Sequence, residues 1–362
     1  MRILAVNAGS SSVKLSLLGD DDRTLGEREL QALATKVDDR ELRAALRDGL
    51  DGADAVAHRI VHGGEQFRSP VRIDPGVVEQ LQALMMLAPL HQPKSLSALA
   101  AVSSLLPDVP AVACFDTAFH ATLAPDAFTY AVPAAWRSHW GVRRYGFHGL
   151  SHGWVAHRAS ELLDAPRRIV SCHLGAGASL CAIRDGHSVD TTMGFTPLAG
   201  LVMATRSGDV DPGMLLWILE REALTGREMA AALEHESGLF GLTGTADMRE
   251  TLTRAAAGEP DARLGLNVYL HRLRAGIAAM AAALGGLDAL VFTGGIGERA
   301  PAVRSGAAEG LEFLGIALDS EANLAARDDN EIGRAGAGVR TLVLRAREDL
   351  QMARQARAVL DA

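Results

Sequence analysis

Lysine is almost missing from this chain: Lys14, Lys36 and Lys94 stand against 33 arginines. Arginine is thus the default cation, and Lys14, inside a turn of small residues, stands out. Cysteine is nearly as scarce. Cys114, Cys172 and Cys181 are too few for a disulfide framework and sit in apolar stretches, which points to a reducing cytoplasm. Aromatics make up only 4% of the residues, so any core must be built from Ala, Leu and Val. No apolar run is long enough to span a bilayer; the best, residues 275–287, is interrupted by Gly285-Gly286. The four-residue apolar run at the N-terminus is too short for a signal peptide. Positive charge is not in excess either: a net charge of -8 argues against nucleic acid as the main partner. The expectation is a cytoplasmic protein with neither membrane nor nucleic acid as its partner. With 362 residues and 48% hydrophobic content, it can form two domains, each with a substantial core.

What the chain does have is one design used twice. Ile3-Leu4-Ala5-Val6 reads as a buried strand, Asn7-Ala8-Gly9-Ser10-Ser11-Ser12 as a small polar turn, and residues 13–18 as a returning strand. A turn built on Gly9 lets backbone N–H groups approach an anion, and the hydroxyls with Lys14 add donors. The second copy runs from Arg168 to Ile183, with His173-Leu174-Gly175-Ala176-Gly177-Ala178-Ser179 at its turn. Neither turn is a Walker A loop or a dinucleotide fingerprint, because both return as strands and open no helix. Two such cradles predict a duplicated architecture that grips a polyphosphate.

Other residues are placed where chemistry happens. Arg59 precedes Val61-His62-Gly63-Gly64 at the end of a predicted strand, the end at which α/β sheets bind ligands. A guanidinium there holds a carboxylate or phosphate in a fixed fork. Pro89 and Pro93 stiffen the turn carrying Leu90 and His91, while residues 109–119 form an apolar strand ending at Asp116, a carboxylate needing a charged partner or metal. Phe147-His148 lies among Gly146, Gly149 and Gly153. Arg206 sits among small residues after Pro197, residues 237–249 read as an irregular glycine-rich loop, and Thr293 leads into Gly294, Gly295 and Gly297. His58/His62 and His148/His152 share helical zinc-ligand spacing, but their glycines make a helix there improbable.

The words NAGSSSVK, HRIVHGGE, APLHQP, FDTAFH, YGFHGLSH, CHLGAGAS, MGFTPLAG, TRSGDVDP and FTGGIGE, in this order, resemble the acetate kinase family of the acetate and sugar kinase/Hsp70/actin superfamily. The resemblance implies an α/β fold: two ribonuclease-H-like (actin-like ATPase) domains with an interdomain active-site cleft. The domains would be residues 1–149, joined by a C-terminal helix at 345–362, and a nucleotide-binding domain at 150–344. A homodimer is implied, as is reversible transfer of the γ-phosphoryl group of ATP to acetate, giving acetyl phosphate and ADP with Mg²⁺ or Mn²⁺.

By position, the resemblance assigns Asn7 and Glu348 to the metal, and Ser10, Ser12 and Lys14 to the first phosphate loop. It assigns Arg59 and Arg206 to acetate and the moving phosphoryl group, and Asp116, His148 and His91 to the active site. His173, Leu174, Gly175, Ala176 and Gly177 match the second phosphate loop. Asp247, Met248 and Arg249, with Gly295, Ile296, Gly297, Glu298 and Arg299, match the adenosine site. Val61, Leu90, Phe147 and Pro197 match the pocket for the acetate methyl. Ala176, Ala178, Met248 and Arg299 depart from the family pattern and bear on donor preference. The rival readings are a propionate or butyrate kinase and, from another class, a nucleotide-gated binding module like actin or Hsp70.

Overall fold

The computed structural model describes residues 1–9, 12–31, 39–47, 50–87, 92–164 and 166–361; Ser10, Leu90 and His91 lie outside the described residues. The chain forms two compact units. The first comprises residues 1–121, 147–154 and 347–362, the second residues 122–146 and 155–346.

The first unit is built on β1 (Ile3–Ala8), β2 (Ser12–Leu18), β3 (Thr24–Gln31), β4 (Ala55–Ile60), β5 (Val71–Arg72) and β6 (Ala111–Phe115), in the order β3-β2-β1-β4-β6-β5. β1 and β2 pair antiparallel, whereas β1, β4 and β6 run parallel. Parallel strands are covered on both faces, which is why β1 and β4 read as nearly unbroken apolar runs. One face packs Ile3, Ala5, Ala57 and Cys114 against Leu350, Met352 and Ala353 of the C-terminal helix Glu348–Leu360. The other packs Leu4, Val6 and Val56 against Ala98 and Val102 of the helix Gln92–Leu105. Exposed, charge-rich β3 closes one edge, and charged side chains there discourage further strand pairing.

The second unit repeats the plan. Its strands are β7 (Arg168–Leu174), β8 (Ala178–Arg184), β9 (His187–Thr191), β10 (Ala289–Thr293), β11 (Asn330–Glu331) and β12 (Arg340–Val343), in the order β11-β12-β10-β7-β8-β9. β7, β8 and β9 form an antiparallel meander, while β7, β10 and β12 run parallel, with short antiparallel β11 at the edge. This is the ribonuclease-H-like arrangement of actin-like ATPases, present in both units. The helix Pro260–Leu284 covers the second sheet, starting on Pro260 and ending where Gly285 turns left-handed.

Two stretches differ from the reading of the sequence. The expected loop at 237–249 contains the helix Gly238–Thr243, and another helix begins at Met248. Gly238 has φ +63°, and a Cβ there would lie 2.3 Å from the Met203 carbonyl oxygen, so tertiary contact made this helix and local propensity did not. A helix also starts at Gly149, within the window thought too glycine-rich for one. Gly149 is there because its N–H donates to the Asp116 carbonyl at 2.9 Å, where a Cβ would approach that oxygen to 2.1 Å.

Candidate functional site

In the first unit, four expected residues meet at the carboxyl ends of the parallel strands. Arg59, one residue before the end of β4, donates from Nε to both Asp116 oxygens at 3.0 and 3.2 Å, and from Nη2 to Oδ2 at 2.6 Å. Its Nη1 donates to Asn7 Oδ1 at 2.9 Å, and Asn7 Nδ2 donates to Glu348 Oε2 at 2.7 Å. Asp116 directly follows β6, and its N–H donates to the Ile60 carbonyl at 3.0 Å. Glu348 opens the C-terminal helix, whose N-terminal dipole favours a carboxylate.

Only 2% of the Asp116 side chain is exposed. Burial raises its pKa above the ordinary carboxylate value; Arg59 pulls it down and Glu348 pushes it up again. Burial disfavours the Arg59 cation, but Asp116 and Glu348 outweigh that and leave its pKa raised. The result is one hydrogen-bonded network that links Asp116, Arg59, Asn7 and Glu348.

His148 joins this group through the backbone. It has φ +56°, a left-handed conformation that a histidine adopts at a cost of order 1–3 kcal/mol, typical of functional sites. The next residue is the Gly149 bound to Asp116. Phe147 is buried, with its ring edge-on to His62 at 5.6 Å, and its carbonyl contacts His120 Nε2 at 3.0 Å. Val61 is buried close by in sequence, ahead of a turn held by two residues that the sequence reading did not single out. Gln92 exchanges two hydrogen bonds with the His62 backbone, both 3.1 Å, and Thr117 Oγ1 accepts the Gly63 N–H at 3.1 Å. In the first cradle, Gly9 N–H donates to the Ser12 carbonyl at 2.8 Å, Ser12 Oγ donates to Glu29, and Lys14 is exposed opposite Asn7 in the β1–β2 ladder.

The second unit presents the other cradle. Gly175 N–H donates to the Gly177 carbonyl at 2.9 Å, between His173-Leu174 on β7 and Ala178 on β8, with Ala176 exposed at the tip. Beside it, β10 runs into the helix Gly294–Arg299, which leaves Gly295 and Arg299 exposed, Ile296 and Glu298 half-buried and Gly297 buried. A Cβ on Gly294 would lie 2.8 Å from the Leu174 carbonyl oxygen, so its bare backbone lets the two turns adjoin. Asp247 caps the helix Met248–Ala256 and forms a forked pair with Arg249, with Nη2 to Oδ2 at 2.5 Å. Arg249 holds the Asp247 pKa down to about 2. Met248, between them, is buried. Arg206 Nη1 donates to the Pro197 carbonyl at 3.1 Å, and its own carbonyl accepts the Met203 N–H at 3.1 Å.

For the zinc idea, His58 lies on β4, and among the described residues neither of its ring nitrogens has a hydrogen-bond partner. No group of three or more His, Cys, Asp or Glu that could hold a metal occurs among the described residues. Cys114, Cys172 and Cys181 are buried, and among the described residues none forms a disulfide. Among the described residues, no helix is long and apolar enough to cross a membrane.

The sequence profile of the acetokinase family matches residues 27–354. The acetate kinase of Deinococcus radiodurans is 46% identical over 349 residues, covering 94% of this chain and 84% of that one. The propionate kinase of Citrobacter rodentium is 41% identical over 386 residues, covering 98% of this chain and 95% of its own. The crystal structure of the Porphyromonas gingivalis acetate kinase superposes with a TM-score of 0.91 at 35% identity, covering 99% of both chains. The chain belongs to the acetokinase family.

Proposed function

We propose that this protein is an acetate kinase that reversibly transfers the γ-phosphoryl group of ATP to acetate, giving acetyl phosphate and ADP. The observation carrying this reading is the Arg59–Asp116–Asn7–Glu348 network at the carboxyl end of the first sheet, in a chain whose residues 27–354 match the acetokinase family profile. A carboxylate acceptor is already nucleophilic at pH 7, so no strong base is required. Catalysis then consists of alignment and charge stabilisation of an in-line transfer. Arg59, Arg206 and His148 are assigned to the moving phosphoryl group, with Val61, Phe147 and Pro197 against the acyl methyl. The Gly175–Gly177 turn, Asp247–Arg249 and Gly295–Arg299 are assigned to the nucleotide.

The oxygen donors of Asp116, Glu348 and Asn7 suit Mg²⁺, which proteins hold through one or two carboxylates, with substrate phosphates and water completing the shell. When bound, the ion neutralises charge on the donor phosphates. The work of this chain is to keep those oxygens converged, which the Asn7 bridge between Arg59 and Glu348 does. Three buried cysteines outside any disulfide among the described residues support a reducing, cytoplasmic setting.

A homodimer is supported by the helix Pro212–Arg221. It carries Met214-Leu215-Leu216-Trp217-Ile218-Leu219 with no residue buried, and Trp217 is 58% exposed. A helix this apolar needs a cover. Light scattering should give twice the chain mass, and Trp217→Glu should give the monomer.

The acyl pocket decides between acetate and propionate, both represented among the relatives by name. One methylene is worth ~1–3 kcal/mol of discrimination. Comparing kcat/KM for acetate, propionate and butyrate tests the reading; a preference for a longer acid would move the assignment within the family.

A further inference from the structure

The side chain of Arg206 is held by the Pro197 carbonyl, so whatever fixes Pro197 also aims Arg206. The turn at 194–197 is weakly bonded within itself: Gly194 N–H reaches the Thr196 carbonyl at 3.3 Å, and Leu198 N–H reaches Thr196 Oγ1 at 3.4 Å. Firmer contacts come from residues 122–146. The Tyr130 hydroxyl accepts the Phe195 N–H at 3.0 Å. Tyr145 N–H donates to the Gly194 carbonyl at 3.0 Å. Arg144 Nη1 donates to the carbonyls of Thr191, Thr192 and Met193 at 2.8, 3.1 and 3.2 Å, and its guanidinium lies 5.7 Å from the Tyr130 ring centroid. The fit is close. A Cβ on Gly194 would lie 2.2 Å from the Tyr130 hydroxyl oxygen.

We propose that Tyr130 is a positioning residue for the acyl-acceptor side of the reaction: its hydroxyl fixes the 194–197 turn, which sets the Arg206 guanidinium and Pro197, the residue assigned above to the acyl methyl. This rests on the phosphotransfer reading above and touches neither the nucleotide turns nor the Arg59 network. Tyr130→Phe removes one oxygen atom and leaves the Phe195 N–H without its acceptor, which costs a partly buried donor about a tenfold effect.

The test combines kinetics with hydrogen exchange on the full-length protein. Tyr130→Phe should lower kcat/KM for acetate about tenfold and raise the propionate-to-acetate ratio, with KM for ATP within about twofold of wild type. Gly194→Ala should reproduce that defect, because its methyl displaces the hydroxyl. In the Tyr130→Phe background, Gly194→Ala should do less further harm, since the clashing atom is gone; such non-additivity is the signature of direct contact. Backbone exchange in peptides covering residues 194–206 should speed up in Tyr130→Phe whether or not the enzyme is assayed. Unchanged exchange and an unchanged acid preference in an active Tyr130→Phe enzyme would overturn the inference. Wild type forming no acyl phosphate while exchange still rises in the variant would instead remove the phosphotransfer reading and leave the structural role of Tyr130 standing.

Discussion

Arg59 and Asp116 form a forked ion pair at the ends of neighbouring parallel strands, with Nη2 and Oδ2 2.6 Å apart and the carboxylate all but inaccessible to water. Neither group is held by its own strand alone. Asn7 takes the remaining edge of the guanidinium, and Asp116 N–H is tied to the Ile60 carbonyl. The pair is therefore a structural brace that ties the ends of β4 and β6 together.

Breaking one side of this pair should hurt more than removing both. Arg59→Ala or Asp116→Ala alone leaves an uncompensated buried charge and should cost about 3–5 kcal/mol, whereas the double variant should cost clearly less than the sum. Urea unfolding of the three variants measures this, and strict additivity would mean that the pair is not coupled.

His58 makes stability fall with acid. It lies on β4 between Val56 and Ile60, on the face covered by apolar side chains, and burial brings its pKa down from 6.5 to about 3. Its folded value is below its unfolded one, so between those values the native state binds fewer protons than the unfolded chain. The contribution is fully present above pH 6.5 and is lost as pH falls towards 3. Between pH 7 and pH 5 the loss from this one ring is about 2 kcal/mol. His62, held near 4 by burial, acts in the same direction. Urea midpoints at the two pH values should converge in His58→Leu relative to wild type; an equal acid loss in both proteins would acquit the ring.

Arg304 should act on the nucleotide side. The residue is 1% exposed and, among the described residues, no carboxylate is a hydrogen-bond partner of its guanidinium, which donates to the Gly297 and Glu298 carbonyls at 2.9 Å each and to Asn323 Oδ1 and O at 2.7 and 2.6 Å. Arg304→Met leaves those carbonyls unpaired under the Gly294–Arg299 turn. KM for ATP should rise roughly tenfold with KM for acetate nearly constant, since the damage is confined to one substrate's turn. Equal rises in both would point to general loosening.

Arg206→Ala should cost on the order of 10²-fold in kcat, the usual loss for one preorganised donor to a developing charge. Circular dichroism would confirm that the variant folds, and a near-wild-type kcat would remove Arg206 from the chemistry.

The sequence made legible what local chemistry encodes. Gly9 and Gly175 mark the turns that join β1 to β2 and β7 to β8, and Arg59 before Gly63-Gly64 marks a strand end with a cation. The apolar runs of β1, β7 and β10 follow from burial on both faces. What stayed hidden depends on partners far along the chain. Gln92 is unremarkable until its amide is seen bridging the His62 backbone, and Gly149 is one glycine among several until the Asp116 carbonyl appears beside it. The helix Gly238–Thr243 escaped notice because glycines at both ends depress its propensity, while the N–H groups of Leu239 and Phe240 find the carbonyls of Met203 and Ala204. Tyr130 lies in a stretch with no motif of its own.

The most direct measurement is trapping of the product with hydroxylamine. Purified protein incubated with ATP, Mg²⁺ and acetate should yield acetohydroxamate in proportion to ADP formed, and none without acetate. ADP released at the same rate with or without acetate, and no hydroxamate, would contradict a carboxylate phosphotransferase.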